Sequence, residues 1–249
     1  MRLPKVVVIT SIQAFVIAFI VLVWAYLVDN KTLDPFIIPH PLAVAYAIGR
    51  NYHVVLTLFG QTCFHAGMGF LLSISLGLTI GFLLAWSRSL HRILSPYILF
   101  LFMVPKITTI PFFLSFFGFR SLMRIMFAFF HGFFPICINT MRGMLQVRKS
   151  LLDTAIVFGA RPFQILREVV FPYTLPNILT GIRQSVMANF TGAIIAELWF
   201  GGGVGGYIKD NSVRFMPENV FSAVFIIALI CIIINQSLLF IERKASHWR

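Results

Sequence analysis

Charge is scarce in this chain: 8 acidic and 20 basic residues among 249, or 11% charged. A soluble domain of this length needs a hydrated, charged shell, and too few charges are present to build one. The basic excess leaves a formal charge of +12. A basic stripe on a soluble face would mark a nucleic-acid partner, but here Lys and Arg lie between apolar runs, so no nucleic acid is expected. Cysteine is scarce too. Cys63, Cys137 and Cys231 sit far apart, each in or beside an apolar run, without zinc or redox spacing. Packed, reduced thiols are expected, with no metal and no cofactor. The sequence lacks G-x-x-x-x-G-K-[ST], H-E-x-x-H and G-x-S-x-G, so the phosphate cradle, the zinc protease and the nucleophile elbow have no carrier. The chain is therefore not expected to be an enzyme, and any energy source must reside on another polypeptide.

What the chain has in abundance is apolar surface: 59% of its residues are hydrophobic and its mean hydropathy is +0.90. A helix crosses the hydrocarbon core with about 20 apolar residues. Six stretches meet that need, at 7–28, 54–86, 93–117, 122–141, 178–200 and 220–241. They predict an all-α integral membrane protein with about six transmembrane helices. Residues 1–30 form an N-terminal helix, retained because the apolar run to Val28 is too long for a signal peptide core. Residues 31–53 form a Pro-rich linker with a short interfacial helix over 43–50, 54–241 the transmembrane domain, and 242–249 a tail. Pro105 and Pro111 interrupt the third stretch, as neighbouring helices or water allow. With the N-terminus inside, twelve Lys and Arg fall on inner segments, among them Arg2, Arg142, Arg148, Lys149, Arg161, Arg167 and Arg249. Six fall outside, which places both termini in the cytoplasm.

Polar groups within apolar runs are costly and turn toward protein or a cavity. They are Lys106, His131, Asn139, Arg183, Gln184, Asn189 and Glu197. Lys106, Asn189 and Glu197 are candidates for a translocation path. Lys106 could instead snorkel or pair with Glu197, His131 reads as a packing histidine, and Arg183 as meeting headgroups or the inner loop. Ser73, Gly77 and Gly81 suit close helix packing. Gly201 to Gly206 reads as an outer turn or gating loop.

The segment from Arg142 to Asn177 is too polar to span and too patterned to be slack. Leu151, Leu152, Ala155, Ile156 and Phe158 recur at helical spacing, Gly159 ends the helix, and a second begins near Pro162. Pro172 and Pro176 are expected to redirect the chain into the fifth span. The residues alone leave two readings open: a docking surface for a partner, or an amphipathic elbow resting on membrane lipid.

Asp153-Thr154-Ala155, then three residues, Gly159, nine residues and Val169-Val170-Phe171-Pro172 resemble the E-A-A…G…I-x-L-P motif of ABC importer permeases. Asp153 replaces the usual Glu and Thr154 the first Ala. Ile38-Pro39-His40-Pro41, Val104-Pro105-Lys106-Ile107, Gly181-Ile182-Arg183 and Ala196-Glu197 through Gly205 resemble patterns of the nitrate/sulfonate/taurine type, where His65 stands in place of a common Arg. The resemblance covers roughly residues 34–241. It implies a type I (MetI-like) permease fold and the permease subunit of an ATP-driven importer in the bacterial inner membrane. Its partners would be two copies of an ABC ATPase subunit, a periplasmic or lipid-anchored substrate-binding protein, and a second copy of the chain. Within a coupling elbow spanning 150–172, it assigns ATPase coupling to Asp153, Ala155, Val157, Phe158, Gly159 and Ala160. Cargo would be a sulfonate, taurine or nitrate-type anion, or a pyrimidine vitamin precursor. The competing reading is a secondary carrier driven by an ion gradient, which would need carboxylates at mid-membrane, and only Glu197 is offered.

Overall fold

The structure, a computed structural model, describes residues 5–245 of the backbone and the side chains from Ser11 to Lys244. Arg2 and Arg249, two of the orientation charges, and the last residues of the tail lie outside the described residues. Helices account for nearly all that is described. α1 (Lys5–Asp29) leads through the linker to α2 (Pro41–Trp86), α3 (Arg88–Met103), a 3₁₀ turn (Lys106–Thr109) and α4 (Ile110–Phe117). α5 (Ser121–Leu145) is followed by α6 (Lys149–Val157), α7 (Pro162–Gln164), a π-turn (Ile165–Val170) and α8 (Phe171–Phe200). α9 (Gly203–Val213) and α10 (Pro217–Ala245) complete the chain.

Four helices, α1, α2, α5 and α10, are long and apolar enough to cross a membrane, and α3 with the segment through α4 makes a fifth if that bent pair counts as one span. The sixth expected span, 178–200, lies in α8, which is not among the helices apolar enough to qualify by composition. Thr174, Ile178, Gly181, Ser185, Asn189, Gly192 and Ala196 form its buried stripe, recurring every three or four residues, with Ala193 and Glu197 buried beside it. That stripe packs against α5 and α2, which form the centre of the bundle with it. The close approach needs small residues. A Cβ on Gly81 would stand 2.6 Å from the Cys137 carbonyl oxygen, and one on Gly132 would overlap the Asn189 carboxamide. α1 stays on the periphery; the window of α1 that qualifies as a span is only 6% buried, and Trp24 meets the rings of Phe221 and Phe225 on α10.

Local geometry differs from expectation at four places. Residues 43–50 are no separate interfacial helix but the first turns of α2, whose N-terminus carries Pro41 and a cap from the His40 ring to the Leu42 N–H. At 46 residues, α2 is about 69 Å long, far more than the hydrocarbon core requires. The third stretch turns by 98° between α3 and the segment that follows, where Pro105 cannot donate to the helix ladder. Pro172 and Pro176 do not redirect the chain: Pro172 begins α8 and Pro176 lies inside it. The wider π-turn ahead, where the Phe171 N–H reaches the Leu166 carbonyl, gives the Pro172 ring room that a regular turn denies. Finally, only Gly201 and Gly202, at φ +76° and +80°, make a turn; Gly203 to Gly206 begin α9.

Candidate functional site

Two unlike clusters lie at opposite ends of the bundle. The first is the elbow of α6 and α7. Gly159 closes α6 at φ +77°, a backbone conformation that side chains with a Cβ seldom adopt. The Ala160 N–H returns to the Ala155 carbonyl at 3.0 Å, and the Gln164 side chain accepts from the Arg161 N–H at 2.8 Å. The turn is thus tied on both sides. Val157 and Phe158 stand 84% and 85% exposed at its tip, with Phe163 beside them at 70%. Asp153 and Thr154 are exposed, while Ala155 and Ala160 are half-buried. Beneath the elbow a cavity of about 490 Å³ is lined by Trp86 of α2, Met144 of α5, and Leu152, Ile156 and Ala160. The elbow therefore shares its end of the bundle with the C-termini of α2 and α5. An apolar tip of this size in water is unstable unless something covers it.

The second cluster surrounds Glu197, fully buried near the end of α8. Its carboxylate accepts from the Thr62 hydroxyl at 2.8 Å and the Gly205 N–H at 3.2 Å, and lies 2.9 Å from His65 Nδ1. Thr62 Oγ1 accepts from the Val204 N–H at 3.1 Å, and the Gln61 carboxamide oxygen from the Gly203 N–H at 3.0 Å. Two α2 side chains and one α8 carboxylate thus satisfy the first three N–H groups of α9, which no helix can satisfy itself. A Cβ on Gly203 would overlap the Glu197 carboxylate. Arg124 of α5 adds a further tie, donating from Nε to the Gly201 carbonyl at 2.9 Å and from Nη2 to that of Phe200 at 3.0 Å. Beyond it, Asn219 of α10 accepts from Asn51 at 2.7 Å and donates to Asn211 at 2.9 Å.

The three path candidates do not converge. Asn189 is buried where α2, α5 and α8 cross, donating to the Ser185 carbonyl at 2.8 Å and lying 3.4 Å from Ser73 Oγ. Lys106 does not pair with Glu197. Its Nζ donates to the Phe102 carbonyl at 3.3 Å and stands over the Phe102 and Phe134 rings, a cation–π arrangement that suits a half-buried ammonium. Arg183 bridges to Glu242 of α10 at 2.7 Å rather than to a residue of the elbow. His131 Nδ1 faces the Phe127 carbonyl at 2.9 Å, as a packing histidine does. The sequence reading missed the partnership of His65 with Glu197: it marks His65 only as standing in place of a common Arg, yet an ionisable group in an apolar run calls for a partner.

The fold belongs to the class of inner-membrane permeases. The chain of the MetNI methionine transporter solved in inward-facing conformations superposes with a TM-score of 0.64 at 17% identity, over 77% of this chain and 95% of that one. A family model described as the binding-protein-dependent transport system inner membrane component matches residues 73–247. The chain is 30% identical to the putative aliphatic sulfonates transport permease protein SsuC of Bacillus subtilis, covering 93% of this chain and 85% of that one. It is 26% identical to the formylaminopyrimidine transport permease protein ThiX of Halalkalibacterium halodurans, with 87% of each covered. The chain therefore belongs to the family of binding-protein-dependent transport system inner membrane components, as an ABC transporter permease of the sulfonate type.

Proposed function

We propose that this permease imports an aliphatic sulfonate or a similar small organic anion, driven by ATP hydrolysed on a separate ATPase. The observation that carries the mechanism is the bare apolar tip of the elbow, Val157 and Phe158, held out by Gly159. Each elbow seats its tip in a groove of one ATPase subunit, with Asp153 offered to a cation or donor there and Ala155 allowing close approach. Ala160 belongs to the same device from beneath, where it lines the cavity against α2 and α5. A homodimer presents two elbows to two ATPases, and closure of the nucleotide-bound pair switches the bundle between inward-open and outward-open states. A substrate-binding protein delivers cargo at the opposite end, and both termini lie in the cytoplasm. Sulfonate cargo is supported by the likeness to the aliphatic sulfonates permease of Bacillus subtilis; a pyrimidine precursor is the second reading, supported by the Halalkalibacterium halodurans relative. Of the path candidates, Glu197 is taken up by Thr62, His65 and Gly205, whereas Lys106 and the Asn189 carboxamide oxygen keep hydrogen-bonding capacity and stay candidates for lining the path.

The test is uptake by proteoliposomes carrying the permease, its ATPase and its binding protein, with an alkanesulfonate outside and ATP inside. Wild type accumulates the sulfonate. Gly159→Val, strained at positive φ, assembles but loses substrate-stimulated ATP turnover and uptake together. Normal stimulation in that variant refutes the coupling role, and uptake of formylaminopyrimidine but not sulfonate refutes the cargo.

A further inference from the structure

At the Glu197 end a cavity of about 460 Å³ opens between α2 and α5, bounded by Thr57, Gln61, His65, Ser121, Arg124 and Gly202. Its polar lining sets it apart from the apolar cavity beneath the elbow. We propose that it binds a singly charged oxyanion and is a cargo site within the permease itself, which rests on the sulfonate reading above.

Arg124, Gln61, His65 and Ser121 all have hydrogen-bonding capacity left over among the described residues. Arg124 spends Nε and one Nη2 hydrogen on the Phe200 and Gly201 carbonyls, which orients the guanidinium; among the described residues its Nη1 has no partner. Gln61 accepts from Gly203 through Oε1, so its NH₂ group is left to donate elsewhere. His65 is only 5% exposed, with Nδ1 committed to Glu197 and Nε2 unbonded among the described residues. The Ser121 hydroxyl is likewise unbonded there. Tetrahedral and planar oxyanions are recognised by such convergent donors, Arg above all.

Charge decides the valence. Arg124 contributes one positive charge. Glu197 is paired with His65 and stands behind the lining rather than in it. Among the lining residues Arg124 is the one lysine, arginine, aspartate or glutamate, so a single guanidinium charge faces the ligand. A monoanion neutralises it. A dianion overshoots, and an uncharged isostere leaves the guanidinium uncompensated where water is limited.

The probe is methanesulfonate, titrated by ligand-observed NMR against the assembled permease–ATPase complex in phosphatidylcholine nanodiscs, without binding protein. Saturable binding is expected, with sulfate weaker and dimethyl sulfone unbound. Arg124→Gln weakens it roughly ten-fold or more, and Ser121→Ala, which removes an unbonded hydroxyl at no cost to packing, roughly three-fold. Arg124→Lys retains part of the affinity, because the charge persists without the fork. Binding unchanged in both Arg124→Gln and Ser121→Ala, or equal binding of dimethyl sulfone, overturns the site. Loss of methanesulfonate binding when phosphatidylglycerol is added to the discs overturns the cargo assignment and gives the site to a lipid headgroup. If the intact system imports no sulfonate while Arg124-dependent binding persists, the substrate reading falls and the anion site stands. If sulfonate is imported and Arg124→Gln imports it normally, the site falls and the substrate reading stands.

Discussion

Truncating the elbow tip separates docking from folding. Val157 and Phe158 are 84% and 85% exposed and α6 has no buried residue, so Val157→Ala with Phe158→Ala removes almost no packing from the permease. Its thermal midpoint in detergent should match wild type. Covering these side chains with a partner removes them from water, and a fully buried Phe contributes about 1.5–3 kcal/mol relative to an exposed one. Taking about 2 kcal/mol for Phe158 gives a roughly thirty-fold weaker Kd for the ATPase, with Val157 adding to that loss. The assay is binding of the purified ATPase to immobilised permease in nanodiscs, with thermal unfolding measured on the same samples. An affinity within about two-fold of wild type would refute the docking argument. So would a midpoint that falls by several degrees, since it would mean the tip is structural.

Three further outcomes follow from the packing. Glu197→Ala strips the acceptor from Thr62, His65 and the Gly205 N–H and should lower stability by about 1–3 kcal/mol per group left unpaired; Glu197→Gln, which keeps an acceptor, should lose much less in a fluorescence-detected thermal assay. Gly132→Ala forces a methyl onto the Asn189 carboxamide and should cost about 1–3 kcal/mol, most of it recovered when Asn189→Ala is added, a coupling that a double-mutant cycle in thermal unfolding reads directly. Arg183→Leu leaves the half-buried Glu242 carboxylate without its cation; hydrogen exchange over the last turns of α10 should quicken while α5 is unaffected.

The elbow was legible in the sequence because its signals are local: apolar residues at helical spacing, then Gly159, then Pro162. The apolar spans were legible for the same reason. What escaped depends on neighbours distant in sequence. Glu197 and His65 are 132 positions apart, and only the crossing of α2 and α8 brings them together. Lys106 read as a partner for Glu197 because both are charges in apolar runs, but the 98° turn after α3 leaves the ammonium over the Phe102 and Phe134 rings instead. Pro172 read as a point where the chain is redirected because a proline disrupts a regular helix, and nothing in the local composition announces the π-turn ahead of it. α8 looked shorter than it is because its first turns, Phe171 to Asn177, carry two prolines, Pro172 and Pro176, that break the local helical pattern.

α8 runs from the π-turn behind the elbow to Glu197 and the turn into α9. Its 30 residues make a rod of about 45 Å at 1.5 Å per residue. Levered at one end, such a rod swings its tip by about 4 Å for a tilt of only about 5°. That exceeds the 2.8–3.2 Å separations that fasten Glu197 to Thr62 and Gly205. The same tilt shifts Asn189 by only about six-tenths as much, so the far extremity, where Glu197 is clasped to α2 through Thr62 and His65, feels the largest displacement.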